Sequence, residues 1–166
     1  MTTASQVHAD KLVEINWSWQ QFSDISGEEM HEMLSLRQKV FVVEQQCAYL
    51  DADELDQQSW HLLGRGQDGQ LVAYGRLNFP NTRYPEPSFG RILTTQEVRG
   101  TGAGRETVEN CIQKSRQEYP SLNIRIAAQT YLTQFYQDFG FTPVGAPYDE
   151  DGIEHIDMIL NQQHKP

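Results

Sequence analysis

The stretch EVRGTGAGRETVENCIQKS, residues 97–115, places three glycines within five residues directly before a helical pattern. Glycine costs about 0.5–1 kcal/mol in a helix relative to alanine, so another interaction should benefit from the bare backbone. We expect residues 99–104 to form a loop between a strand and a helix that runs from Glu106 onward. Unpaired N–H groups at a helix start attract anions, and glycines allow close approach. A pyrophosphate would suit this loop, and a plain tight turn is the alternative.

Two common nucleotide-binding motifs do not match this stretch. A P-loop requires Gly-Lys-Ser/Thr, and a dinucleotide fold requires Gly-x-Gly-x-x-Gly with an acidic residue about 20 positions further on. The spacing found is Arg-x-x-Gly-x-Gly, formed by Arg99, Gly102 and Gly104. The stretch therefore belongs to neither class.

The rest of the chain predicts strands and helices that alternate around this loop. Alternating apolar residues in 15–22 indicate a strand, and Ser26 and Glu29 have the spacing of a capping box for a helix that ends before Gln45. Asp68-Gly69 predicts a hairpin turn between the next two strands. The order is completed by a strand at 88–95, the helix after the glycines, a strand at 123–129, a short helix stopped by Gly140 and a hairpin turning near Asp151-Gly152. The predicted order β, α, β, β, β, α, β, α, β, β describes a mixed sheet with helices packed on it.

Composition indicates one soluble domain over residues 1–166. The 166 residues contain 38% hydrophobic and 22% charged residues, with no Pro- or Gly-rich linker. A net charge of −10 repels nucleic acids and acidic membranes and favours a cationic partner, unless it serves solubility alone. No apolar run approaches about 20 residues, and the N-terminus lacks the pattern of a signal peptide. We expect a cytoplasmic monomer or homodimer that binds neither nucleic acid nor membrane.

Several stretches resemble the GNAT superfamily of N-acetyltransferases. The Arg-x-x-Gly-x-Gly spacing is similar to the pyrophosphate loop of that superfamily, and FYQDFGF at 135–141 resembles its signature near the C-terminus. The ElaA-type subgroup is resembled across residues 36–158, in LRQKVFVVEQQCAYLDADELD, GRILTTQEVRGTGAG, AAQTYLTQFYQDFGF and YDEDGIEHIDM. The resemblance implies an α/β (α+β) fold with a mixed, mostly antiparallel twisted sheet, a central splay, and helices on both faces.

The resemblance also implies where acetyl-CoA binds. The strand before the loop should bind the pantetheine arm and the thioester carbonyl through the backbone of Ile92, Leu93 and Thr94, and we expect the Leu93 N–H to stabilise the oxyanion. Tyr136 is expected to protonate the departing thiolate, with aromatic packing as the alternative. The expected pyrophosphate site comprises Arg99, Gly100, Thr101, Gly102, Ala103, Gly104 and Arg105.

Acetyl transfer also requires a base, because an ammonium group has no lone pair with which to attack. Glu44, at the end of the first helix, is one candidate, and a surface carboxylate is its alternative role. His155 is the other, since its reference pKa is near neutral, although it could simply stabilise the terminal hairpin.

Four further residues are candidates for acceptor binding. Asp53 belongs to an acidic run that could attract a cationic amine, and His61 begins a strand. Arg76 and Arg91 could bind an acceptor carboxylate. Each has a structural alternative. Asp53 could lie in a solvated loop, His61 could be a hydrogen-bonded structural histidine, and the two arginines could form salt bridges within the sheet. An acidic mouth is expected from Glu44, Asp51, Asp53 and Asp56 together with Asp149, Glu150 and Asp151.

The leading hypothesis is an acetyl-CoA-dependent N-acetyltransferase that acts on a primary amine of a small molecule or protein. The histidines and cysteines show no metal-ligand spacing, so no metal is predicted. An acyl-homoserine-lactone-synthase-like acyltransferase is one alternative, because RQKVF followed by an acidic cluster resembles those enzymes. A non-catalytic acyl-CoA-binding sensor is the other.

Overall fold

The computed structural model describes residues 13–162, so the predicted domain 1–166 extends beyond it at both ends. Within this range the predicted order of elements is confirmed. The elements are β1 (Asn16–Gln21), α1 (Gly27–Arg37), β2 (Ser59–Arg65), β3 (Leu71–Asn78), β4 (Ser88–Thr94), α2 (Ala103–Glu118), β5 (Ile124–Gln129), α3 (Thr133–Gln137), β6 (Thr142–Glu150) and β7 (Ile153–Leu160).

The two long helices begin with different N-terminal motifs. Ser26 and Glu29 form the predicted capping box at the start of α1. After Arg37 this helix widens into a π-helical segment, Gln38–Glu44, and so ends before Gln45 as expected. The start of α2 corrects the prediction, since the helix begins at Ala103 rather than Glu106, after the left-handed residue Gly102.

The strands form two antiparallel sheets, ordered β1-β2-β3-β4 and β5-β7-β6. Within residues 13–162, no ladder joins β4 to β5. One backbone hydrogen bond connects them where both begin, from Arg125 N–H to Pro87 C=O at 3.1 Å. The expected splay is therefore present, and it separates the two sheets along the length of β4 and β5.

Helices cover both faces of the four-stranded sheet, as expected. Leu62 of β2 shares a buried cluster with Val108 and Ile112 of α2, whereas the adjacent Leu63 shares one with Met33 of α1. Successive residues of a strand point to opposite faces. Thus α1 and α2 lie on opposite sides of the sheet.

A bulge interrupts β4 beside the splay. Its register with β3 shifts between Tyr74 and Arg76, so that Arg91 and Ile92 together oppose Gly75. Arg91 has φ of +53°, in the left-handed region that side chains rarely adopt. A bulge of this kind bends the strand and changes the direction of its side chains, and here it does so where β4 borders β5.

Gly75→Ala is expected to lower the free energy of unfolding by about 1–3 kcal/mol, because overpacking forces neighbours apart. A Cβ at Gly75 would lie 3.0 Å from Ile92 Cδ1 and 3.1 Å from Cys111 Sγ. Gly90→Ala is the matched control, since nothing lies within 4 Å of its Cβ position. Urea unfolding of both variants measures the difference; equal losses would show that the bulge does not require a glycine opposite it.

Candidate active site

A cleft of about 360 Å³ lies between the diverging strands, at the central splay that the family resemblance implied. Its walls include residues 88–92 of β4 and 126–129 of β5. The bond between Arg125 and Pro87 joins the strands near their first residues, so the cleft opens along their length. Its occupation by acetyl-CoA stays a prediction.

The hydrogen bonds of β4 show which of its backbone groups are free. Thr95 N–H donates to Val72 C=O at 2.8 Å, and Tyr74 opposes Leu93 two residues further along the ladder. Because bonded pairs alternate in antiparallel strands, the Leu93 N–H points towards β3. The prediction that it stabilises an oxyanion is therefore wrong, and the Leu93 side chain is buried in the core. The N–H and C=O of Thr94 face away from β3.

The glycine loop has the open backbone that an anion would need. Gly100 and Gly102 have φ of +77° and +91°. A Cβ added to either, or to the helical Gly104, would meet nothing within 4 Å. The first turn-closing bond of α2 runs from Glu106 N–H to Gly102 C=O, so the N–H groups of residues 103–105 precede it. This geometry fits a pyrophosphate.

Both arginines of the predicted phosphate site lie beside the loop but contact protein groups. Arg99 donates to the Thr94 carbonyl from Nε at 3.1 Å and Nη2 at 3.0 Å. Its Nη1 lies 2.6 Å from Glu44 Oε1. The guanidinium of Arg105 lies 4.5 Å from the centre of the Phe139 ring.

The contacts of Glu44 argue against its predicted role as base. The hydrogen bond from Arg99 lowers the pKa of this carboxyl, and a lower pKa makes a weaker proton acceptor. Glu44 is not among the described residues that line the cleft. The structure corresponds to the alternative role, a carboxylate at the end of the first helix.

Tyr136 of α3 lines the cleft with a side chain that is largely buried. Its ring packs 6.3 Å from Phe89 and 6.0 Å from Phe141, between ring centres. Burial raises the pKa of its phenol, so the hydroxyl stays protonated at neutral pH. The packing alternative and the predicted proton donation are therefore compatible, and the donation stays a prediction.

His155 of β7 also lines the cleft and is the better-placed base candidate. Its Nδ1 lies 2.8 Å from Ile153 O. A carbonyl can only accept, so Nδ1 carries a hydrogen and the neutral ring has its lone pair on Nε2. Nε2 lies 3.9 Å from Glu150 Oε2, and the ring stacks on Tyr148.

Two acids of the run after α1, Asp51 and Asp56, belong to a buried ion network instead of a solvated loop. Arg37, fully buried, donates from Nε to Asp51 and from Nη1 to Asp56, both at 2.7 Å. Arg76 donates from Nη1 to Asp53 at 2.6 Å and to Asp56 at 2.7 Å. Arg76 is therefore held by the acids of the chain, as its structural alternative proposed. Sequence reasoning missed Arg37, although its spacing from Met30 and Met33 places it on the apolar face of the helix.

His61 is a structural residue, which corrects its assignment to acceptor binding. It is fully buried, with Nδ1 2.7 Å from the Tyr74 hydroxyl and Nε2 2.8 Å from Asp56 O. Both ring nitrogens are thus occupied, and no atom remains for an acceptor.

The predicted acidic mouth is also corrected, because the charges of the cleft are balanced. Asp51 and Asp56 are buried among arginines, and Glu44 pairs with Arg99. The charged residues among the described lining are three acids and three bases: Asp53, Glu150, Asp151, Arg76, Arg83 and Arg91. The expectation of a cationic acceptor then rests on the net charge of −10 and stays a prediction.

Between residues 13 and 162, no group of three or more His, Cys, Asp or Glu side chains is arranged to hold a metal ion. Over the same range, no helix has both the length and the apolar character to cross a membrane.

A family model described as an acetyltransferase (GNAT) domain matches residues 21–162. The chain belongs to the GNAT family. Its relatives include UPF0039 protein sll0451 from Synechocystis sp., which is 71% identical over 89% of this chain and 96% of that protein. The ElaA-type resemblance is confirmed by Escherichia coli ElaA, whose crystal structure superposes with a TM-score of 0.82 at 34% identity, covering 89% of this chain and all of that one.

Two further solved structures bear on the type of reaction. An acyl-CoA N-acyltransferase from Pseudomonas aeruginosa matches with a TM-score of 0.84 and 33% identity over 89% of this chain and 100% of its own. The acyl-homoserine lactone synthase BjaI has a TM-score of 0.73 but only 13% identity, over 92% and 85% of the two chains, so it shares the fold alone. The family supports acyl transfer from a CoA-linked co-substrate.

Acidification from pH 7 to about pH 5.5 is expected to destabilise the fold partly through His61. Burial lowers the pKa of His61 in the fold, whereas the unfolded chain has the ordinary value of 6.5. The unfolded state therefore binds more protons in this window, and the stabilisation is lost as pH falls. Chemical unfolding at several pH values should give a shallower pH dependence for His61→Gln than for the wild type, whereas the control His31→Gln, at an exposed site, keeps the wild-type slope. Equal slopes for all three proteins would contradict the prediction.

Proposed function

We propose that the protein is an acetyl-CoA-dependent N-acetyltransferase that acetylates a primary amine of a small molecule or protein by direct attack. The observation that carries the proposal is that the glycine loop, the free edge of β4 and the cleft adjoin one another. The glycine loop at the start of α2 follows the free edge of β4 at Thr94, and that strand forms one wall of the cleft containing Tyr136 and His155. The family model and the P. aeruginosa relative support the reaction type. We further expect the enzyme to act in the cytoplasm as a monomer or homodimer.

The loop and the edge of β4 would hold the co-substrate. The N–H groups of Gly100 and of residues 102–105 would bind its pyrophosphate, since the Thr101 N–H donates to Val98 C=O. Thr94 would pair with the pantetheine arm in place of the Arg99 side chain. Ile92 also lines the cleft. Acetyl-CoA supplies an activated acyl group when it is bound, and the protein supplies position and proton transfer.

Two side chains would carry the protons. His155 Nε2 would accept a proton from the acceptor ammonium or amine, so that the nitrogen lone pair attacks the thioester carbon. The C–N bond forms, the C–S bond breaks, and the Tyr136 hydroxyl would donate its proton to the leaving sulfur. Backbone N–H groups on the free edge of β4, including that of Thr94, are candidates to stabilise the oxyanion.

The proposal is tested by measuring free CoA release with a panel of amines and determining product mass. A mass increase of one acetyl group with stoichiometric CoA release supports it. Acetyl-CoA binding without turnover of any amine would favour a sensor, and a lactone product would favour the synthase alternative.

Tyr136→Phe should bind acetyl-CoA nearly normally but react more slowly, by roughly 10²–10⁴-fold or less, since thiolate is a good leaving group. Phenylalanine keeps the ring contacts and removes only the acid. Single-turnover kinetics with a reactive amine measures the chemical step, and Tyr131→Phe, an exposed tyrosine of the cleft lining, is the control. An unchanged rate for Tyr136→Phe would assign the residue to packing.

Gly104→Ala should stabilise the protein and weaken CoA binding at the same time. Alanine favours the helix by up to about 1 kcal/mol, and the chain itself leaves room for the methyl group. That methyl would nevertheless separate a phosphate from the backbone. Gly27→Ala, at the first residue of α1 and also in open space, is the matched control. Thermal unfolding and CoA titration should show stabilisation in both variants but weaker binding only in Gly104→Ala; unchanged affinity there would exclude close phosphate approach.

A further inference from the structure

Arg91 presents unused hydrogen-bond donors at the β4 side of the cleft. Its Nε lies 2.8 Å from Asp51 Oδ1, and its Nη2 donates to Asp51 O at 3.1 Å. The guanidinium also lies 5.4 Å from the centre of the Tyr49 ring. Among residues 13–162, no acceptor engages Nη1, and the side chain lines the cleft. Arg91 is therefore held on one side and has free donors on the other.

The carboxylates around Arg91 have little capacity left for a ligand. Asp53 accepts from Arg76 through both oxygens, at 2.6 and 3.1 Å, from Leu55 N–H at 3.1 Å, and from Arg91 Nη2 at 3.4 Å. The Asp51 side chain is 1% exposed. The group at this side of the cleft that can still bind a ligand is therefore the positively charged guanidinium of Arg91.

The backbone of Arg91 supports a functional interpretation of this arrangement. Its left-handed φ of +53° is costly for a residue with a side chain, and such strain concentrates at binding sites. The adjacent Gly90 lines the cleft, and nothing lies within 4 Å of its Cβ position. The chain therefore leaves open space at Gly90, next to a residue whose backbone it holds in an unfavourable conformation.

The β6–β7 side of the cleft has the opposite character. Glu150 accepts from Arg83 Nη2 with both oxygens, at 3.0 and 3.3 Å, and its side chain is 39% exposed. Asp151 is exposed at the turn and lines the cleft. Carboxylate oxygens that accept one bond each have further lone pairs, so this side can receive an ammonium group near His155.

We propose that the acceptor is an amino carboxylate, a small molecule that carries both a primary amine and a carboxylate, as a free amino acid does. Its carboxylate binds Arg91 at Nη1, and its amine lies at the side formed by Glu150 and His155. A zwitterion matches a cleft whose β4 side offers the free donors of Arg91 and whose β6–β7 side offers the acceptors of Glu150 and Asp151. The inference rests on the proposed N-acetyltransferase function and adds the class of acceptor.

The test compares amino acids with their carboxamides and their decarboxylated amines as acceptors. In the wild type, removal of the carboxylate should lower kcat/KM by roughly 10- to 100-fold, the range of a charge-assisted hydrogen bond. In Arg91→Gln this preference should fall to near one, while affinity for acetyl-CoA is unchanged. Arg91→Lys should recover part of the preference. Arg65→Gln, which alters a pair with Glu32 outside the cleft, is the control and should keep it.

A binding measurement separates this inference from the proposed function. The same compounds are titrated by calorimetry into protein saturated with CoA, which requires no turnover. Tighter binding of the amino acid that disappears in Arg91→Gln supports the acceptor class, even if no compound is acetylated. Equal binding and equal turnover of all three compound types in the wild type would overturn it while leaving the N-acetyltransferase function intact. Binding of no compound, together with turnover of simple amines only, would overturn it too.

Discussion

The fully buried guanidinium of Arg37 is the constraint on which much of the molecule depends. A charge without water must be surrounded by acceptors, and Arg37 obtains them from Asp51 and Asp56 in the segment after α1. That segment is thereby fixed against the sheet. Asp51 contacts Arg91 in turn, at the bulge of β4. A single buried charge thus connects the first helix, the following segment and the wall of the cleft.

Burial of such ions is an uncertain source of stability, because the loss of hydration offsets much of the attraction between charges. What the network does supply is geometry. Arg76 and Arg37 share Asp56, and Arg76 and Arg91 share Asp53, so the positions of three guanidinium groups are set together. The cleft inherits a fixed arrangement of donors on its β4 side, and a mobile surface salt bridge would not give this.

The features that the sequence predicted well are those with local causes. The capping box at Ser26, the Asp68-Gly69 turn and the glycine spacing after β4 each depend on residues a few positions apart. The order of elements followed from them. The splay between β4 and β5 came from the family resemblance, since no local pattern distinguishes a strand that pairs on both edges from one that pairs on one.

The errors arose where the outcome depends on distant partners. Nothing near Asp51 or Asp56 in sequence shows that they pair with an arginine 14 or 19 residues away, so the sequence predicts an acidic mouth or a solvated loop and not an ion network. The bulge opposite Gly75 and the bonding phase of the β3–β4 ladder decided the orientation of Leu93, and a strand pattern does not reveal either. The buried ion network could have been predicted from Arg37, because a charged residue on an apolar helix face implies buried partners.

The separation of the two sheets has a consequence for how such a chain can diversify. The wall that carries Tyr136 and His155 shares no ladder with the wall that continues into the glycine loop, within the part of the chain described. Substitutions in the terminal hairpin, including Glu150 and Asp151, can therefore reshape one side of the cleft while the backbone of β4 keeps its hydrogen bonds. Selection can in this way act on acceptor choice as a trait nearly independent of the site proposed for CoA, and relatives with the same family signature can differ in what they modify.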